Sequence, residues 1–157
     1  MIKITLDREC LHNLDLSPVK TIVDRIFEEG AIADREQQIS FEFDYFRDPT
    51  DPRELSEIPE IRLWFLRLDA VYPWFPFFLD WKAGELARYA AMLVPHQFSR
   101  NEGIQFNPEA LEIFVMQKTF VLADWLKQQG IPSQSRLSAI AQMFGYELDD
   151  SFFKLIQ

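Results

Sequence analysis

Thiols are the scarcest reactive group in this chain: Cys10 stands alone among 157 residues. One thiol cannot close an internal disulfide, fill a four-cysteine zinc site or hold an iron–sulfur cluster of its own. A reducing compartment fits that count. Glycine is nearly as sparse, with five residues, and none forms a Gly-rich phosphate loop. Gly-x-Ser-x-Gly and His-Glu-x-x-His are absent as well. The two histidines offer little more, since His12 follows Cys10 at i+2 and such a pair falls short of a metal site. No cofactor, no metal and no catalytic residues are expected. No stretch approaches the ~20 apolar residues that would cross a membrane. The first seven residues carry charge and lack an apolar signal core, so the expected setting is cytoplasmic, without membrane insertion. Basic residues are outnumbered 16 to 25, a net charge of −9, which argues against nucleic acid as a partner.

What the chain does have is enough length for a core. A single domain over 1–157 is expected, burying roughly 70% of its unfolded-state surface without staples. Its charge is unevenly spread. Between Asp24 and Glu60 there are 12 acids and 4 arginines, whereas Ile61 to Lys127 holds 7 of each sign. An acidic lobe thus adjoins a neutral, aromatic-rich body. The lobe is either an ordinary solvated surface or one that favours a basic partner.

The best-defined element is a helix from Asn107 to Gln129. Asn107 caps it, Pro108 sits at its first position, and Glu109 faces the positive helix end. Gly130 closes it and Pro132 prevents continuation. At ~1.5 Å per residue it spans about 35 Å. Leu111, Phe114, Val121, Leu122 and Trp125 share one face, with Lys118 in its middle; Glu109, Glu112, Gln117, Asp124 and Lys127 occupy the other. Ile113, Met116 and Phe120 fall among those polar residues, so the helix has something to touch on both sides. Upstream, Met1 to Leu6 reads as a strand, Ser17-Pro18 starts a helix ended by Gly30, and Ile39 to Tyr45 is the clearest strand. Arg47 to Pro59 is a loop. Glu60 to Asp69 fits helical spacing and also a strand buried on both faces; the strand is preferred, followed by a short strand over Phe77 to Leu79. Asp80 is expected to cap a helix running to Pro95. Helices over Ser133–Phe144 and from Asp149 follow. The order gives an α+β fold: a small, mainly antiparallel sheet from the N-terminal half packed against a helical C-terminal half with one long central helix.

Two constellations could carry function. From Trp64 to Trp81, 8 of 18 residues are aromatic. Most such rings build a core, but Trp74 and Phe75 lie between two prolines, and a stiff turn presenting flat rings could anchor a partner. With them, Ile113, Met116 and Phe120 are candidate partner-binding residues. The competing constellation is a pocket of Glu85, Arg88, His96 and Lys118, which would have to converge to serve a small acid–base enzyme or ligand-binding domain. Lys118 on an apolar face needs a carboxylate, a carbonyl or an outward route. His96, just past a helix end, suits a capping role.

The wording from Arg62 to Asp69, Tyr72-Pro73-Trp74, Asp80 through Gln97, and Phe106 through the long helix resembles the chlororespiratory reduction 6 family over about residues 60–125. That resemblance implies a cyanobacterial or plastid factor helping to assemble the photosynthetic NAD(P)H dehydrogenase-like complex. It implies binding to an unassembled subunit that carries iron–sulfur clusters, without stable membership of the finished enzyme. It supplies no catalytic residues and no small-molecule substrate. Without a transit peptide ahead of Met1, the cyanobacterial form is the one expected.

Overall fold

The computed structural model describes residues 1–156 of the chain, which divides into two compact units, Met1–Leu93 and Val94–Gln157. Helix accounts for 56% and strand for 13%, so helices supply most of the packing faces.

In the first unit, β1 (Ile2–Asp7) runs into α1 (Arg8–His12), α2 (Ser17–Glu28) and then β2 (Ile39–Asp44). β1 alternates, burying Ile4 and Leu6, and pairs in parallel with β2 from Ile2↔Ile39 to Asp7↔Asp44. A crossover carrying a helix is what a parallel pair requires. Asp7 accepts from the Cys10 amide at 2.8 Å and thereby caps α1, an element whose five residues are too few to show a periodicity. Asp15 accepts from both the amide and the hydroxyl of Ser17 and so sets the start of α2, with Pro18 in its first turn.

The segment expected as a strand over Glu60 to Asp69 is a helix, α3 (Pro59–Val71). Pro59 and Glu60 open it, and Ile61, Trp64, Phe65 and Leu68 form its buried stripe. Leu63 and Leu66 stand about half exposed on the opposite side, and Val71 is half exposed at the helix end. A helix apolar on both faces has the composition of a doubly buried strand, and the 3.6-residue spacing of the buried set decides between them. The strand expected over Phe77 to Leu79 is likewise replaced by a 3-10 turn, Phe75–Phe78, with one isolated bridge from Leu79 to Ile39. Pro73 and Pro76 lack the amide hydrogens that a ladder uses and favour a turn instead. Asp80 accepts from the Ala83 amide but holds only a turn over residues 81–84: Gly84 adopts φ +84°, and the helix, α4 (Glu85–Leu93), starts after it and ends short of Pro95, so Asp80 is not the helix cap that was expected.

The second unit opens with a hairpin that the sequence reading passed over: β3 (His96–Ser99) antiparallel to β4 (Gly103–Phe106). Its signal is the Asn101-Glu102-Gly103 turn, with Gly103 at φ +73°. The long helix, α5 (Pro108–Gln129), has the expected ends: Asn107 accepts from the Ala110 amide at 3.0 Å, and Gly130 is left-handed at φ 70°. Asn107→Ala should therefore cost about 1 kcal/mol, read as a lower midpoint in thermal unfolding, while Asn107→Asp should retain most of it. α6 (Gln134–Met143) and α7 (Asp150–Ile156) complete the unit.

The sheets are thus two separate pairs, the N-terminal one parallel, and not one mainly antiparallel sheet. The first unit is itself largely helical, carrying α1 to α4. Among the described residues no helix is long and apolar enough to cross a membrane.

Candidate functional site

The aromatic turn is the first test of the candidates. Phe75 is 0% exposed, and its ring lies 5.8 Å from Phe41 and 6.4 Å from Phe78. Trp74 is half-buried, edge-on to Phe27 at 5.3 Å and to Phe78 at 5.8 Å. The two prolines fold the turn inward, so Phe75 is a core residue and not a presented anchor. Burial of a ring that large outweighs anything its flanking prolines suggest.

Glu85 and Arg88 do come together, on consecutive turns of α4, with Nη1 of Arg88 3.4 Å from Oε1 of Glu85. Their common target is the backbone of Phe41 at the edge of β2. The Arg88 guanidinium reaches toward its carbonyl at 3.5 Å while lying over the Phe43 ring, and the Phe41 backbone also acts on the Glu85 carboxyl, favouring its charged form. The pair thus satisfies peptide groups that a third strand would otherwise take. Burial raises the Glu85 carboxyl above its ordinary value of 4.5, the Arg88 charge and the Phe41 backbone oppose the rise, and Asp80 adds to it. A raised carboxyl binds its proton more tightly folded than unfolded. Stability is therefore full below pH 4.5 and declines as pH rises through the folded value. Glu85→Gln should remove that decline. Wild type should lose stability relative to the variant as pH increases from about 4 to 8 in paired urea titrations; a difference that runs the other way would refute the assignment.

His96 and Lys118 belong to the second unit. His96 opens β3, with Nδ1 3.0 Å from the Val94 carbonyl and its ring 6.1 Å from Phe106. Beside it is a shallow cleft of about 350 Å³ lined by Pro95, Gln97, Gln105, Phe106 and Asn107. Lys118 is buried on the inner face of α5, its ammonium 6.0 Å from the Phe114 ring centroid. Glu85 and Arg88 thus engage the edge of β2, while His96 starts a hairpin and Lys118 sits on the buried face of α5. Cys10 is equally engaged: its thiol donates to the Asp15 carbonyl at 2.9 Å, and burial, with Asp15 and Asp7 nearby, pushes its pKa up to about 11.

The three remaining candidates lie on the outside of α5. Ile113 is 70% exposed, Phe120 is 51% exposed, and Met116 is partly covered between them. They recur at i, i+3 and i+7, one stripe of a helix. Phe152 of α7 meets the Phe120 ring at 5.7 Å. The opposite face buries Phe114, Val115, Lys118, Thr119, Leu122, Trp125 and Leu126, of which Val115, Thr119 and Leu126 were not singled out from the sequence. The outer face of α3, with Leu63 and Leu66, is a second exposed apolar patch, hidden from sequence reasoning by the strand assignment.

These elements define a predominantly helical mixed α/β protein that presents apolar patches on two of its helices. The chain belongs to the chlororespiratory reduction 6 family, whose model matches residues 6–155, well beyond the segment that carried the resemblance. Membership is consistent with a part in assembling the NAD(P)H dehydrogenase-like complex. No solved structure matches the chain.

Proposed function

We propose that this protein is a non-enzymatic assembly factor. It transiently binds an unassembled, iron–sulfur-cluster-carrying subunit of the photosynthetic NAD(P)H dehydrogenase-like complex while the peripheral arm is built. The observation that carries the reading is the family match over residues 6–155. The geometry supports binding over chemistry. Of the four pocket candidates, Glu85 and Arg88 are spent on the Phe41 backbone, and the one thiol is buried and held protonated at neutral pH. A protonated, buried thiol is a poor cluster ligand, so the clusters are the client's to hold. The exposed stripe of Ile113, Met116 and Phe120 offers apolar area to a client whose own docking surface is still uncovered.

The test is affinity purification of tagged protein from its native cells. An unassembled dehydrogenase-complex subunit should copurify in substoichiometric and growth-dependent amounts. Recovery of the finished complex at constant stoichiometry would make the protein a structural subunit instead. Recovery of no complex subunit would overturn the reading.

A further inference from the structure

We propose that the outer face of α5 docks a basic amphipathic helix, which, resting on the assembly reading above, would belong to the client subunit. The face has three parts that follow one another along the helix. Glu109 and Glu112 stand exposed at its start, Ile113, Met116 and Phe120 form the apolar stripe, and Asp124 flanks the stripe's far end. Wound at 100° per residue, Glu109, Ile113, Met116, Phe120 and Asp124 fall within about 80° of one another, a single strip. Beyond Phe120 the strip runs into a cleft of about 300 Å³, lined by Ala123, Lys127, Ile131, Pro132, Phe153 and Ile156. Phe152, against Phe120, widens the apolar platform on the α7 side.

A ridge with a terminal cleft is the shape that accepts a helix laid along it, with anchors at i, i+3 or i+4 and i+7. The charges choose the occupant. Three exposed carboxylates border the apolar strip, against one exposed cation on α5, Lys127 beyond the stripe's far end. An acidic helix would face three repulsions; a basic one finds three complements. Exposed ion pairs add little affinity, so they select and orient the partner while the apolar anchors hold it. A second copy of this chain would bring the same carboxylates against themselves.

Two synthetic peptides of about 18 residues, long enough to cover five turns, test this directly. Both carry the same Leu/Ile stripe; one is flanked by Lys and Arg, the other by Glu. In fluorescence anisotropy with the full chain, the basic peptide should bind at least about tenfold more tightly than the acidic one, and less tightly as salt rises. Ile113→Ser/Phe120→Ser should weaken it by about tenfold or more. Glu112→Lys/Asp124→Lys should reverse the preference. Both pairs are at exposed positions, and unchanged circular dichroism would confirm folding. Equal affinity for the two peptides, no binding, indifference to the ridge variant, or self-association through the ridge would each overturn the proposal. The native-cell purification separates the two readings. If wild type and the ridge variant recover the subunit alike, the ridge falls and the assembly role stands. If wild type recovers none while the basic peptide still binds the ridge, the reverse holds.

Discussion

Trp64→Ala is expected to remove about 3–5 kcal/mol of stability, a large part of the 5–15 kcal/mol that holds a typical domain together. Trp64 is 0% exposed, and its ring meets Phe65 at 5.0 Å and Phe41 at 5.8 Å, both edge-on. Truncation leaves a cavity against β2 and α3 that rigid neighbours cannot fill. It also deletes a tether. The indole Nε1 donates to the Asp15 carbonyl at 2.8 Å, the same oxygen that takes the Cys10 thiol hydrogen. Asp15 follows Leu14, which holds a left-handed φ of 51°, so this one carbonyl fixes the turn between α1 and α2 onto α3. Trp64→Phe keeps most of the ring and loses the donor, and should cost about 1–2 kcal/mol. Urea unfolding followed by far-ultraviolet circular dichroism would rank the two. Cys10 supplies an independent readout. In wild type it should react with a disulfide reagent at pH 8 only as fast as the unit opens, and many times faster in the alanine variant. Equal rates would mean that Trp64 does not shield the thiol.

Where local backbone chemistry marks an element, the sequence was enough to find it. Asn107, Pro108, Gly130 and Pro132 bracket α5 through groups within a few residues of each end, and the β1–α2–β2 order follows from period and caps alike. α3 was not legible for a different reason. Its buried stripe of Ile61, Trp64, Phe65 and Leu68 is accompanied by Leu63 and Leu66 on the outer face, and these reduce the contrast on which amphipathic reasoning depends. The hairpin from His96 to Phe106 has strands of four residues, too short for alternation to stand out, and what stabilises it is pairing across the turn. The same division runs through the site. Ile113, Met116 and Phe120 could be read as apolar outliers on a helical wheel, because a wheel is local. The engagement of Glu85 and Arg88 with the Phe41 backbone joins residues more than forty positions apart, and no pattern in α4 announces it.

Phe75 separates core from surface more sharply than any other residue. A ring that anchors a partner from an exposed turn can be truncated with stability changes within about 0.5 kcal/mol, and only binding suffers. A ring at 0% exposure, tilted against Phe41 and Phe78, should cost about 3–5 kcal/mol when cut to alanine. Phe75→Ala is accordingly expected to lower the unfolding midpoint by many degrees, and to weaken client capture only where the chain is no longer folded. Trp74→Ala should fall between the extremes, since its ring is half-buried against Phe27, Tyr72 and Phe78. Phe120→Ala provides the contrast on α5: its ring is about half exposed, so stability should change by less than about 1 kcal/mol. Thermal unfolding of these variants, beside their recovery of the dehydrogenase subunit, gives two orderings. If they run opposite ways, with Phe75 leading in stability and Phe120 in capture, the aromatic turn builds the core and the long helix meets the client. A Phe75→Ala chain that stays as stable as wild type yet loses the subunit would put the client at the turn instead.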